Sequence, residues 1–151
     1  MSIQDLIREA KSDPSLYSAI NVDALLDNAK HDFLENKTLS TVTQDIYDAL
    51  SSLGVSREDH GPKLSGYRFV DELYELHRGK HVRWIRIEHP DRLMVGGIVV
   101  DVRFTDEGAN VLCRLHNNRF TQYRFDQCLT FQKLSYDEQM VLLIQGNDSS
   151  S

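Results

Sequence analysis

Apolar residues recur at helical spacing through the first third of the chain. Ile3, Leu6, Ile7 and Ala10 follow a capping Ser2, and Asp13-Pro14 ends that run because a residue before proline avoids the helical region. Asn21 caps a second stripe of Val22, Leu25, Leu26, Ala29, Phe33 and Leu34, which Asn36 can close in a left-handed conformation. A third helix starts near Thr38 or Ser40, buries Leu39, Val42, Ile46, Ala49, Leu50 and Leu53, and stops at Gly54. Short connections between such helices favour antiparallel packing. Ser56–Ser65 has charge, glycine and proline but no period, which predicts a linker. Tyr67–Arg78 places Val70, Leu73, Leu76 and His77 on one helical face, with Gly79 as the stop.

After Gly79 the period changes to two. His81–Ile87 predicts a first strand. In the second, Ile98, Val100, Val102 and Phe104 alternate with Val99, Asp101 and Arg103. Asp106-Glu107-Gly108 turns into a third strand, where Ala109, Val111, Cys113 and Leu115 alternate with polar neighbours. His116-Asn117-Asn118 turns again, Arg119–Phe125 is a fourth strand, and Cys128–Leu134 is a fifth. Ser135 caps a last helix containing Met140, Leu143 and Ile144, and a frayed tail is expected from Gly146. Five short strands led by a helix solve their edge problem by closing. The fold class expected is therefore α+β. An N-terminal helical region (1–55) and a linker (56–66) precede a helix-led five-stranded SH3-like barrel (67–145), which includes a short C-terminal helix, and a disordered tail (146–151) follows.

The helix, the strand count and the stretch Leu76-x-Arg78-Gly79-Lys80-x-Val82 resemble the SH3-like and Sm-like small barrels. The resemblance covers Tyr67–Leu134 and is one of topology. Where Sm proteins carry an Arg-Gly pair that holds RNA in a ring, this chain has Asn118-Arg119-Phe120, so the likeness does not extend to ring assembly. Gly79–Ile87, Gly96-Gly97 and Phe131-Gln132-Lys133-Leu134 are also similar to stretches of uncharacterised proteins of large DNA viruses. That likeness implies a virion or an infected cell as a setting and implies no activity.

Charge divides the chain. The formal net charge is −6, yet residues 1–66 hold 6 Lys/Arg against 11 Asp/Glu, and residues 78–133 hold 10 against 6. This polarity suggests two surfaces with different partners. The acidic helical region, with Asp27, Asp32 and Glu35, suits a basic protein partner. No stretch reaches the roughly 20 apolar residues needed to span a bilayer. The start lacks the basic and apolar regions of a signal peptide, so an intracellular location, cytoplasmic or nuclear, is expected. Oligomeric state is not encoded in any pattern found here.

Catalytic chemistry finds little support. His77 and His81 are four apart, but Gly79 breaks the helix that would align them, and no close pair of metal ligands exists. Cys113 alternates with Val111 and Leu115 and therefore points into the core with them, which makes it an inert thiol. Gly96-Gly97 has no following Lys-Ser/Thr and reads as a bend at a barrel corner, not as a phosphate loop. No metal, no cofactor and no enzyme activity are expected.

The polar strand face offers more. Arg103, Arg114 and Arg124 each fall out of phase with the apolar residues of their strand, with Arg83 or Arg86 beside them. Trp84 and Phe120 supply stacking surface, and arginines among exposed aromatics are how small barrels hold single-stranded nucleic acid. The competing assignment has the same arginines paired with Asp101 and its neighbours across the strands, and Trp84 filling the core. A noncatalytic binding module is the function expected. Nucleic acid on Arg83, Arg103, Arg114, Arg124, Trp84 and Phe120 is the first reading, and a protein adaptor or structural assembly protein is the alternative.

Overall fold

The computed structural model describes Leu34 and residues 36–149. The helices expected at the N-terminus lie outside the described residues, as do Asp27, Asp32 and Glu35. Residues 43–133 form one compact unit, and the described residues up to 42 together with those from 134 to 149 belong to a second.

Helix α1 spans Leu39–Ser52. Its start is fixed by a reciprocal pair: the Thr38 amide donates to Thr41 Oγ1 at 2.8 Å and the Thr41 amide donates to Thr38 Oγ1 at 3.2 Å. Two positive-φ positions stand where the sequence required them, Asn36 at 65° and the stop Gly54 at 72°. Val42, Ile46, Ala49 and Leu50 are buried, as their spacing predicts, whereas Leu39 is largely exposed. Ser56–Ser65, expected as an unstructured linker, folds into a short helix α2 (Arg57–His60) and a 3-10 turn (Gly61–Leu64), and Leu64 is fully buried.

Six strands follow: β1 Tyr67–Val70, β2 His81–Arg86, β3 Gly97–Thr105, β4 Gly108–Arg114, β5 Phe120–Arg124 and β6 Cys128–Lys133. They form one sheet in the order β1-β6-β2-β3-β4-β5, antiparallel throughout. The fold is α+β as expected, but the sheet is open with edges at β1 and β5, where a closed five-stranded barrel was expected. The sixth strand comes from the segment read as a helix. Tyr-Arg-Phe-Val is rich in strand-favouring side chains, and its burial alternates with Arg68 and Val70 inward. A charged residue facing inward mimics the polar face of a helix, which is why the period misled.

That charge is held. Arg68 Nη2 donates to the Glu75 carbonyl at 2.6 Å, and its Nη1 lies 3.7 Å from the Glu75 carboxylate. The same carboxylate accepts from the amides of Asp71 and Glu72 at 3.0 and 2.7 Å, which turns the chain out of β1 and caps the 3-10 turn Leu73–Glu75. Strands β1 and β2 both run antiparallel to β6, so they are parallel to one another and need a crossover. Residues 71–80 provide it over the inner face, with Leu73 and Leu76 packed on the core and the His77 amide donating to Gln132 Oε1 at 2.9 Å.

The inner face is a cluster of Val82, Trp84, Val99, Val111, Cys113 and Tyr123. The outer face is divided. Over β2 and β6, Ile85 and Phe131 pack against Ile46, Ala49, Leu50 and Leu64. In the second unit, helix α3 (Tyr136–Ser149) begins at the predicted cap. The Ser135 amide donates to Glu138 Oε1 at 2.9 Å and the Glu138 amide to Ser135 Oγ at 3.1 Å. Leu142 joins Leu34, Val42 and Leu134, and Gln145 Nε2 donates to the carbonyls of Leu34 and Lys37. The helix continues through Gly146, where a frayed tail was expected.

Because Leu50 and Leu64 bury the outer side of Ile85 and Phe131, the sheet requires residues before Tyr67. A chain of residues 43–133 is expected to melt cooperatively by circular dichroism, and a chain of residues 67–133 to show no cooperative transition. In the full chain, Leu50→Ala is expected to cost about 2–5 kcal/mol in denaturant unfolding.

Candidate functional site

The β-ladder register decides which side chains share a face. Ile98 pairs with Arg114 and Arg114 with Phe120; Arg103 pairs with Asn110 and Asn110 with Arg124. Directly opposed residues lie on the same side of a sheet. Arg103, Arg114, Arg124 and Phe120 therefore share the outward face of β3–β5, which no helix covers in this unit. A bulge between Val99 and Asp101 produces this phase. It turns Val99 inward and Ile98 outward, where simple alternation along Ile98–Phe104 predicts the reverse.

Sharing a face does not make the arginines equivalent. Asp101 lies between two cations, with Arg78 Nη2 at 2.8 Å from Oδ1 and Arg103 Nε at 3.7 Å from Oδ2. Arg124 donates to the Glu107 carbonyl and lies 3.5 Å from the Glu107 carboxylate and 3.3 Å from that of Asp126. Both guanidinium groups are already opposed by carboxylates. A cavity of about 370 Å³ beside β5 has the same balance, with Arg86 and Arg124 facing Glu88 at its walls and Asp126 and Glu107 behind Arg124.

Trp84, expected as a stacking surface, is 2% exposed and fills the core. Its ring lies flat on Tyr123, centroids 4.3 Å apart at 15°. Arg83 is half-buried, with Nε donating to the Met94 carbonyl at 2.9 Å and Nη1 to the Lys63 carbonyl at 3.3 Å. Carbonyls satisfy its hydrogens without cancelling its charge.

One row of outward side chains crosses all six strands. Tyr67 on β1 pairs with Lys133 on β6; His81 on β2 lies one step past the Val82–Gln132 pair and so beside Lys133; His81 pairs with Ile98, Ile98 with Arg114, and Arg114 with Phe120. At the usual strand spacing this row is about 24 Å long. It holds two aromatic rings, two full cations and no carboxylate. Neither Arg114 nor Lys133 has an ion pair among the described residues. Phe120 is 60% exposed. Tyr67 reaches over β6 and its hydroxyl meets His81 Nδ1 at 2.9 Å. Burial lowers the His81 pKa, helped by Lys133 and Arg83, and burial raises that of Tyr67. The sequence signal for Lys133, His81 and Tyr67 was absent because their relation depends on which strands are neighbours.

The remaining chemistry is muted. Burial pushes the Cys113 thiol up to about 12 and the Cys128 thiol up to about 11, so both favour the protonated form. Among the described residues no group of three His, Cys, Asp or Glu side chains is placed to hold a metal ion, and no helix is long and apolar enough to cross a membrane. Comparison with protein-family models, with curated proteins and with solved structures finds no match for this chain.

Cys113 is fully buried beside Gly97, where any Cβ would lie 3.3 Å from its own. Cys113→Ser is expected to cost about 1–3 kcal/mol in chemical denaturation, by burying a hydroxyl with no partner. Native Cys113 is expected to resist a thiol reagent until the protein unfolds.

Proposed function

We propose that the protein is a noncatalytic binding module that holds a short single strand of nucleic acid along the row Tyr67–Lys133–His81–Ile98–Arg114–Phe120. The observation that carries this reading is the composition of that row: aromatics at both ends, unopposed cations between them, and no acid. Single-strand binders combine a cationic track for phosphates with rings on which bases stack. Arg114 and Lys133 supply the track, Arg83 flanks it, and Phe120 is the exposed ring. Arg103 and Arg124 play a lesser part because each already faces a carboxylate. The chain's net charge of −6 makes such binding local and weak, with few phosphates engaged. The likeness to SH3-like barrels belongs to the same proposal, supported by the β2–β5 meander and the return of β6 beside β2.

A second reading has one observation in its favour. Strand β5 is a free edge, and an extended peptide can add to such an edge through main-chain hydrogen bonds. The other edge, β1, is blunted by its inward Arg68, and β5 has no such guard. On that reading the module is a protein adaptor.

Fluorescence anisotropy with labelled oligo-dT and oligo-U at low salt separates the two. The wild type is expected to bind, with a log–log salt slope of about −2 if three cations meet phosphates. Arg114→Glu with Lys133→Glu is expected to abolish binding, and Phe120→Ala to weaken it by about 1–3 kcal/mol. Arg103→Gln is expected to weaken binding less than Arg114→Gln, since Asp101 already engages the Arg103 guanidinium. Absence of wild-type binding at low salt overturns the nucleic-acid reading, and capture of an extended peptide that broadens only β5 amide signals supports the adaptor.

A further inference from the structure

The middle of the row is hollow. A cavity of about 290 Å³ lies between His81 and Arg114, at the lower end of the size of small-ligand pockets and too small for more than one monomer unit. Its walls differ in character. Val95, 71% exposed, and Ile98 form an apolar side. Gly96 and Gly97, both buried, complete this part of the lining. Those glycines are required by packing alone: a Cβ on Gly96 would lie 2.0 Å from the Val82 carbonyl oxygen, and one on Gly97 2.6 Å from that of Arg114. The lining also holds Arg114, the ladder partner of Ile98, and, from the β4–β5 turn, His116 and Asn118.

We infer that this cavity is a subsite for one nucleotide unit, with the base on Val95 and Ile98 and the phosphate on Arg114. The inference rests on the single-strand reading and adds what the site contacts at its centre. An inorganic anion would use the arginine and leave the apolar wall idle, whereas a nucleoside phosphate has both an apolar ring face and a charge. An imidazole and a carboxamide at the rim present donors and acceptors together, the chemistry that reads the edge of an unpaired base. His81 is held by Tyr67 through Nδ1, so Nε2 is the one ring nitrogen left to a ligand. Asn118 is positioned by the turn itself, at φ 64°, with its amide donating to the Leu115 carbonyl at 3.0 Å.

The test is an NMR titration of the full chain with 5′-AMP, 5′-UMP, adenosine and inorganic phosphate, alongside the same oligonucleotides. Mononucleotides at millimolar concentration are expected to shift the Val95 and Ile98 methyls and the His116 and Asn118 signals, and the oligonucleotides to shift the same set. Inorganic phosphate is expected to move Arg114 and leave the methyls in place. Val95→Glu, at an exposed position that leaves the core intact, is expected to weaken oligonucleotide binding at least tenfold. Asn118→Gly keeps the left-handed turn and is expected to reduce any difference between AMP and UMP. If oligonucleotides bind without shifting these methyls, the subsite is wrong and the single-strand reading stands. If phosphate alone reproduces the AMP shifts, the cavity is a plain anion site and the inference fails. If no oligonucleotide binds at low salt, the reading beneath it has failed and the subsite falls with it.

Discussion

Strands β2 and β5 are separated by two others in the sheet, and at the usual spacing a flat sheet would hold them about 14 Å apart. The rings of Trp84 and Tyr123 nevertheless stack with centroids 4.3 Å apart, and Thr130 on β6 donates its hydroxyl to that of Tyr123 at 3.1 Å. Both contacts are possible only if the sheet curls until its two halves meet across the inner face. The stack is thus the contact on which the rest depends. It seals the core without closing the ladder, so β1 and β5 remain edges. An aromatic pair of this kind contributes about 0.5–1.5 kcal/mol beyond the area it buries. The indole nitrogen has no hydrogen-bond partner among the described residues, a cost on the order of 1–3 kcal/mol that the surrounding apolar contacts must offset.

Curling has a consequence for the outer side. A convex surface cannot be covered by one short helix, and within residues 43–133 the apolar cluster of α1 takes in Ile85 and Phe131, with Tyr67, Phe69, Leu93 and Leu129 packed against it. The covered part is apolar and belongs to folding. The remainder, from His81 through Phe120, carries the residues that folding does not use. Ile98 stands outward because the bulge changes the phase of β3, and Phe120 stands outward because its β4 partner Arg114 does.

The sequence disclosed the elements whose physics is local. The α1 stripe and its Gly54 stop, the Ser135 cap, the alternation of β4 and the placement of Cys113 in the core all follow from spacing within one segment. What it concealed depends on partners distant in the chain. Tyr67–Val70 became a strand because Phe131 and its neighbours offer a ladder and Glu75 neutralises Arg68. The bulge at Val100 leaves no mark in composition. The common outward face of Arg103, Arg114 and Arg124 was legible from alternation. The pairing of Arg103 with Asp101, two residues away on β3, was one of the alternatives alternation offered; the partners of Arg124 were not legible, because Glu107 reaches it from the β3–β4 turn and Asp126 from the turn after β5. Trp84 was legible only as a choice between core and ligand, and the ring of Tyr123 decides it for the core.

The distribution of acids over the outer face decides which of its cations are opposed. At the hairpin end, Asp101, Glu107 and Asp126 hold Arg78, Arg103 and Arg124, and such half-exposed pairs contribute little to stability, typically under about 1 kcal/mol each. Their larger effect is electrostatic. They cancel the field of three arginines over one end of the sheet, so that in a chain of net charge −6 the unopposed cations Arg114, Lys133 and Arg83 stand together at the other. Surface fields of this kind act within a Debye length of about 8 Å at physiological salt. The aromatic ends of the row, Tyr67 and Phe120, set its length, and the cavity between His81 and Arg114 interrupts an otherwise convex surface at its centre. A ligand that exploits all of these features has to be anionic, extended and able to present a flat apolar face to Val95 and Ile98.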